Sequence, residues 1–209
     1  MILHEMTLPA FVEELASNSP APGGGSIAAL GGALAAGLVS MVGELTRGRE
    51  KYAAAQADME LLCAKGKEYA ATLLKLIDED TAAFNDFMAA MKLPKDTDEQ
   101  KAARRAAMQE AAKGTVEAPL RTLNLCAEVA KLALVAVREG NVNAVSDAGT
   151  AGQFARAAGT CAAYNVRINL LGIKDEAYAA EKRAAMKAAL GVIDAAMAEL
   201  TAAIEKALG

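Results

Sequence analysis

From Ser17 to Gly43 the chain carries no charged residue. A stretch that long either crosses a bilayer or lies at the centre of a helical protein. It opens with Ser17-Asn18-Ser19-Pro20-Ala21-Pro22-Gly23-Gly24-Gly25, which is turn chemistry and not the start of a spanning segment. From Ser26 onward it is rich in Ala and Gly and poor in the large apolar side chains that favour insertion. Ala28, Gly32, Ala36 and Ser40 recur every four residues, giving a helical face without bulk on which another backbone can lie closely. The expectation is a buried central helix, with Ser26 as N-cap and an end near Arg47, at the heart of a bundle or on a dimer seam. No membrane span is expected.

The remaining pattern extends this to an all-α fold. Hydrophobic residues make up 54% of the 209-residue chain, yet aromatics only 4% and the prolines number five. Alanine supplies much of the apolar count, and alanine favours helix. Thr7 suits the N-cap of a first short helix, with Pro9 in its first turn and Phe11, Val12 and Leu15 along one side. A third helix is expected from near Ala53 to Met91, with Leu62, Leu73, Leu76, Ile77, Phe84, Phe87 and Met88 as its core. Asp96 or Thr97 can cap a fourth that is kinked at Pro119 and ends at Gly140 in a left-handed residue. A fifth begins within Asn141–Asp147 and runs to Leu171, and Asp175 caps a sixth that reaches Ala207. Long helices with short connectors favour an antiparallel bundle. With no repeat or linker in evidence, residues 1–209 read as a single domain.

Several classes of chemistry are excluded by what is missing. A net charge of −4 is wrong for a general nucleic-acid binder. His4 is the single histidine and is expected in a frayed terminus, so Ser/His or Cys/His nucleophiles and histidine-based metal sites are not expected. Cys63, Cys126 and Cys161 form no CxxC pair and read as reduced core thiols of an intracellular chain. The first residues carry no basic segment of a secretory signal, so a cytoplasmic location is expected.

Several segments can carry chemistry. Pro22-Gly23-Gly24-Gly25-Ser26 precedes a helix whose free N–H groups favour anions or electron-rich oxygens, although a tight connector with a serine cap explains it as well. Asp80 stands four residues from both Leu76 and Phe84 and so shares an inward stripe, while Asp78 and Glu79 rotate toward solvent. A carboxylate so placed needs an ion-pair partner or a ligand. Asn141, Ser146 and Asp147 lie together before the fifth helix, as a cap or as part of a site. Asn165 and Asn169 are one turn apart and offer amide donors and acceptors to a planar polar ligand. Arg47, Arg49 and Lys51 with Tyr52 form a basic cluster, a solvated helix end or an anion contact.

In combination these segments resemble the cyclodeaminase/cyclohydrolase family of tetrahydrofolate enzymes. The likeness is carried by Ser19 through Ser26, by Ser40-Met41-Val42 with Leu45-Thr46 and Gly48, and by Asp80 with Ala83-Phe84. Leu93-Pro94-Lys95 with Thr97, Gly140-Asn141 with Ser146-Asp147, and Asn165-Val166 with Asn169 continue it along nearly the whole chain. The resemblance implies a homodimer, a tetrahydrofolate derivative as substrate and no prosthetic group or metal. It implies a cleft lined by Pro22, Gly23, Gly24, Gly25 and Ser26. Asp80 and Asp147 are its candidate proton carriers, and Lys51, Asn141, Ser146, Asn165 and Asn169 its binding residues. Cyclodeamination of 5-formiminotetrahydrofolate is the leading expectation. Hydrolysis of 5,10-methenyltetrahydrofolate and a non-catalytic helical scaffold are the alternatives.

Overall fold

A computed structural model describes residues 2–209. Six α-helices follow one another: α1 (Leu8–Leu15), α2 (Gly24–Thr46), α3 (Gln56–Met91), α4 (Asp98–Glu139), α5 (Val145–Leu170) and α6 (Glu176–Leu208). Short 3-10 turns at Leu3–Glu5, Glu50–Ala55 and Val142–Ala144 complete the regular structure, and the described residues contain no strand. The all-α architecture agrees with the sequence.

α2 is the axle. It packs on α3, α4 and α5, and Ala28, Gly32, Ala36 and Ser40 are all buried along it. Its length and apolarity would suffice to cross a membrane, but most of it is buried inside the bundle. The small-residue face works in both directions. A Cβ on Gly66 of α3 would stand 2.7 Å from the Ser40 Cβ and 2.8 Å from the Ala36 carbonyl, and a Cβ on Gly32 would meet the Cys126 sulfur at 2.9 Å. Around this axle Val39, Leu62, Leu73, Leu76, Ile77, Leu123, Val129, Val166, Ile193 and Leu200 fill the core.

Helix ends follow local chemistry, with some corrections. Thr7 accepts the Ala10 amide, Asp175 accepts the Tyr178 amide, and Thr97 forms a reciprocal capping box with Gln100. Ser26 is not the cap of α2: Gly23, extended at φ −130°, ends the loop, and Ser26 sits inside the first turn. Gly140 is not left-handed, since its φ is −80°. Glycine stands there because a Cβ would run into the Ala136 carbonyl of the last turn of α4 itself, with Val42 of α2 only 2.8 Å away on the other side. α4 continues as helix through Pro119.

Burial also departs from the pattern in places. Phe11 is buried, but Val12 and Leu15 are exposed. Phe84, Phe87 and Met88 are only half-buried, because α3 there has passed the first residues of α2 and lost that neighbour. Cys63 and Cys126 are core thiols, whereas Cys161 is exposed. Leu3 and His4 are held and not frayed: Asp78, expected in solvent, accepts the Leu3 amide at 2.6 Å and pairs with His4 Nδ1 at 2.5 Å.

Candidate functional site

The first turn of α2 meets α3 at Asp80. Ser26 Oγ donates to Asp80 Oδ2 at 3.1 Å, and also lies 3.3 Å from the Ile77 carbonyl. The Ser26 backbone amide reaches the same carboxylate. Such proximity depends on Gly25, because a Cβ there would sit 2.2 Å from Asp80 Oδ1. The expected inward stripe is therefore real, and the partner of the buried carboxylate is not a cation. Among the described residues no Lys, Arg or His forms an ion pair with Asp80. Burial pushes its carboxyl up, and the bonds from Ser26 only partly offset this. Next to it, Asp78 is held below the usual range: burial would raise it, but bonds from His4 and from the Leu3 and His4 amides outweigh that.

Asp80 opens into a cavity of about 240 Å³ walled by Gly23, Gly24, Gly25, Phe84, Asn165 and Asn169, with Thr81 and Thr115 at its edge. The two asparagines share a face of α5, as their spacing requires. Asn165 Nδ2 donates to the Cys161 carbonyl at 2.9 Å, and Asn169 Nδ2 to the Thr115 carbonyl of α4 at 2.6 Å. Pro22 and Ser26 are buried behind this wall and support it. Thr81 and Thr115 escaped sequence reasoning. Thr81 is one residue from Asp80, but Thr115 contributes through its backbone, for which its residue type gives no signal.

The other expected site residues are elsewhere. Asn141 is buried at the far end of α2: its amide donates to Thr46 Oγ1 at 2.9 Å and its side chain accepts the Asn143 amide at 3.1 Å. Tyr52 accepts the Val142 amide there at 3.1 Å, and Lys51 lies over the Tyr52 ring at 5.4 Å. Ser146 and Asp147 begin α5 at the same end, and neither caps it. With 1.5 Å of rise per residue, α2 separates this group from the glycine loop by roughly 30 Å. Within one chain the expected site residues therefore form two separate groups, not one.

A larger cleft of about 630 Å³ runs between α5 and α6, beside Tyr164, Arg167, Ile168, Arg183, Met186 and Lys187. It offers cations and apolar surface, and its lining includes no carboxylate or histidine. The smaller cavity, where a buried carboxyl bonded by Ser26 but without a cation stands beside the start of α2 and two anchored amides, is the candidate site.

Residues 7–205 match the sequence model of the family described as formiminotransferase-cyclodeaminase. The chain belongs to that family. A methenyltetrahydrofolate cyclohydrolase of Methylorubrum extorquens is 44% identical over 176 residues, covering 84% of this chain and 85% of the relative. The formimidoyltransferase-cyclodeaminase of Sus scrofa is 38% identical over 182 residues, which span 87% of this chain but 34% of that longer protein. The crystal structure of formiminotetrahydrofolate cyclodeaminase from Thermotoga maritima superposes with a TM-score of 0.89, covering 99% of this chain and 100% of that one at 24% identity. That likeness shows that the six-helix fold is shared.

Proposed function

We propose that the chain acts on the one-carbon bridge between N5 and N10 of tetrahydrofolate, hydrolysing 5,10-methenyltetrahydrofolate to 10-formyltetrahydrofolate. The observation that carries the reading is Asp80, a carboxylate without a cation at the mouth of a cavity edged by helix N–H groups. Such a carboxylate attracts the methenyl cation and can take a proton from a water beside it, because burial raises its affinity for protons. Water adds to the bridging carbon while Asp80 takes one of its protons. The N5–carbon bond then breaks as N5 receives a proton and the new hydroxyl loses one. The formyl group remains on N10, and one proton passes to solvent.

A family member of matching length and 44% identity bears the cyclohydrolase name, which moves this reaction ahead of the deaminase expected first. Cyclodeamination is the second reading, favoured by the longer relatives. In it N10 attacks the formimino carbon, Asp80 takes the proton that N10 loses and delivers it to the amino nitrogen, and the carbon–nitrogen bond breaks as ammonia leaves. Incubation with each folate separately decides between them. Enzyme-dependent loss of the methenyl chromophore indicates the hydrolase, and its growth with ammonia release from 5-formiminotetrahydrofolate indicates the deaminase. Neither response, in a folded protein that fails to bind tetrahydrofolate, would leave only a helical scaffold.

The cavity of about 240 Å³ is smaller than the ~300–1,000 Å³ usual for a ligand cleft, so it suits a folate head group and not the tail. The remainder of the site is assigned to a second copy of the chain. On α2, Ile27, Gly31, Leu34, Leu38, Met41 and Leu45 follow the alternating three-and-four spacing of a helix seam. On α5, Phe154, Ala157, Cys161, Tyr164 and Ile168, with Leu171 at its C-cap, do the same, and every one of them is exposed. A twofold axis across these antiparallel helices sets the glycine-loop end of one copy against the Lys51, Asn141, Ser146 and Asp147 end of the other. In that dimer Lys51 faces the anionic tail and Asp147 is a second proton carrier.

A further inference from the structure

α4 runs 42 residues with a buried proline inside it. A helix-interior proline has no N–H to give the carbonyl four residues back, and its ring crowds that carbonyl. For Pro119 the freed carbonyl is that of Thr115, and Thr115 lies at the edge of the Asp80 cavity. There it accepts Asn169 Nδ2 at 2.6 Å, a bond between α5 and α4. A carbonyl oxygen can only accept, so the contact decides which end of the amide meets it. The NH2 group of Asn169 turns to α4 and its Oδ1 is left for the cavity.

Asn165 reaches the same polarity by another route, with its Nδ2 held on the Cys161 carbonyl at 2.9 Å within α5. Ser26 occupies Oδ2 of Asp80 and leaves Oδ1 toward Gly25. Three side chains from two helices thus offer oxygen acceptors to one small space. We propose that Pro119 is a positioning residue for ligand selection: by withholding an N–H it frees the Thr115 carbonyl to orient Asn169, completing an acceptor wall with Asn165 and Asp80 for a planar ligand that carries a row of N–H donors. The inference rests on the folate reading and sharpens it, since the N3–H and 2-amino group along one edge of a pterin form such a row.

The test is a mutant cycle on steady-state kinetics with methenyltetrahydrofolate, or with the formimino substrate if the enzyme is the deaminase. Pro119→Ala restores an N–H that competes for Thr115, and Asn169→Asp removes the donor at nearly constant shape. Each is expected to raise KM roughly tenfold with kcat within about twofold, the scale of one misdirected hydrogen bond. The double variant is expected to be no worse than either single one. A folded Pro119→Ala or Asn169→Asp enzyme with wild-type KM overturns the proposal, and so do losses that multiply in the double variant. The Asn169 side-chain amide gives a readout independent of turnover. Its NMR resonances are expected to be protected from exchange in the wild type and to lose that protection in Pro119→Ala. Unprotected wild-type resonances refute the anchor. If the wild type binds neither folate, the functional reading fails while this measurement still judges the anchor.

Discussion

At the scale of single residues, Asp80 does two opposed things. Its carboxylate is held by Ser26 but has lost water without gaining a cation, so its charge destabilises the fold while serving the site. Its folded pKa lies above the unfolded value, so the folded state binds the proton more tightly. Stability therefore falls as pH rises from the unfolded pKa through the folded one, and stays lower above it. Asp80→Asn is expected to lose about 10²–10⁴-fold in kcat. It should unfold at an equal or higher temperature than wild type at pH 7, with the difference shrinking in acid. Near-wild-type turnover would remove Asp80 from the mechanism. Gly25 supplies a geometric counterpart, because a Cβ there must displace the carboxylate. Gly25→Ala should therefore abolish most activity, whereas Gly191→Ala, where nothing lies within 4 Å, should leave activity alone and add about 0.5–1 kcal/mol of stability. Equal activity in the two variants would show that the Gly25–Asp80 contact is dispensable. Asp80 was legible because its offset of four from Leu76 and Phe84 fixes a helical face. Asp78 was not, because its partners are the Leu3 amide and His4, some 75 positions earlier in the chain.

At the scale of elements, the seam between α2 and α3 governs the position of Asp80. The backbones approach so closely at Gly66 that Ser40 and Ala36 leave no room for a methyl group. Gly66→Ala gains helix propensity locally but must push the helices apart, and overpacking of this kind costs ~1–3 kcal/mol. A lower urea midpoint together with reduced activity is expected, and an unchanged midpoint would show that the seam can yield. The small-residue face of α2 was readable from a period of four in Ala28, Gly32, Ala36 and Ser40. Its mate was not, since Gly66 stands alone among larger residues and only the crossing of the two helices gives it a purpose. Pro119 reads from sequence as a kink in α4, and in three dimensions as the origin of a carbonyl released from the helix ladder. In each case the residue type limits the backbone, and the neighbour that exploits the limit comes from a distant part of the chain.

At the scale of the whole molecule, the decisive fact is that the sequence's candidate residues occupy both ends of α2. Gly23–Ser26, Asp80, Asn165 and Asn169 gather at one end, and Lys51, Asn141, Ser146 and Asp147 at the other. A lone protomer would waste the second group and leave two apolar helix stripes in water, with Leu34 51% and Tyr164 59% exposed. The proposed antiparallel twofold pairing of α2 and α5 would resolve both problems with one interface, because each copy would cover the other's stripe and bring its second group of residues to the glycine-loop cavity. Leu34 and Met41 are the places to test this, since both lie on the stripe and neither lines the Asp80 cavity. Leu34→Asp and Met41→Asp should convert a dimer in sedimentation experiments into a monomer that keeps its helical spectrum. If the second copy completes the site, turnover should fall at least tenfold in these variants, since contacts to substrate are lost together. Wild-type turnover per chain should also decline on dilution through the dissociation range. Mixing an Asp80→Asn chain with an Asp147→Asn chain gives the sharper result, because one of the two sites in each mixed dimer is then wholly intact. Activity that reappears on mixing places Asp80 and Asp147 in one site across the seam. A fully active monomer would instead confine the chemistry to the glycine-loop cavity alone.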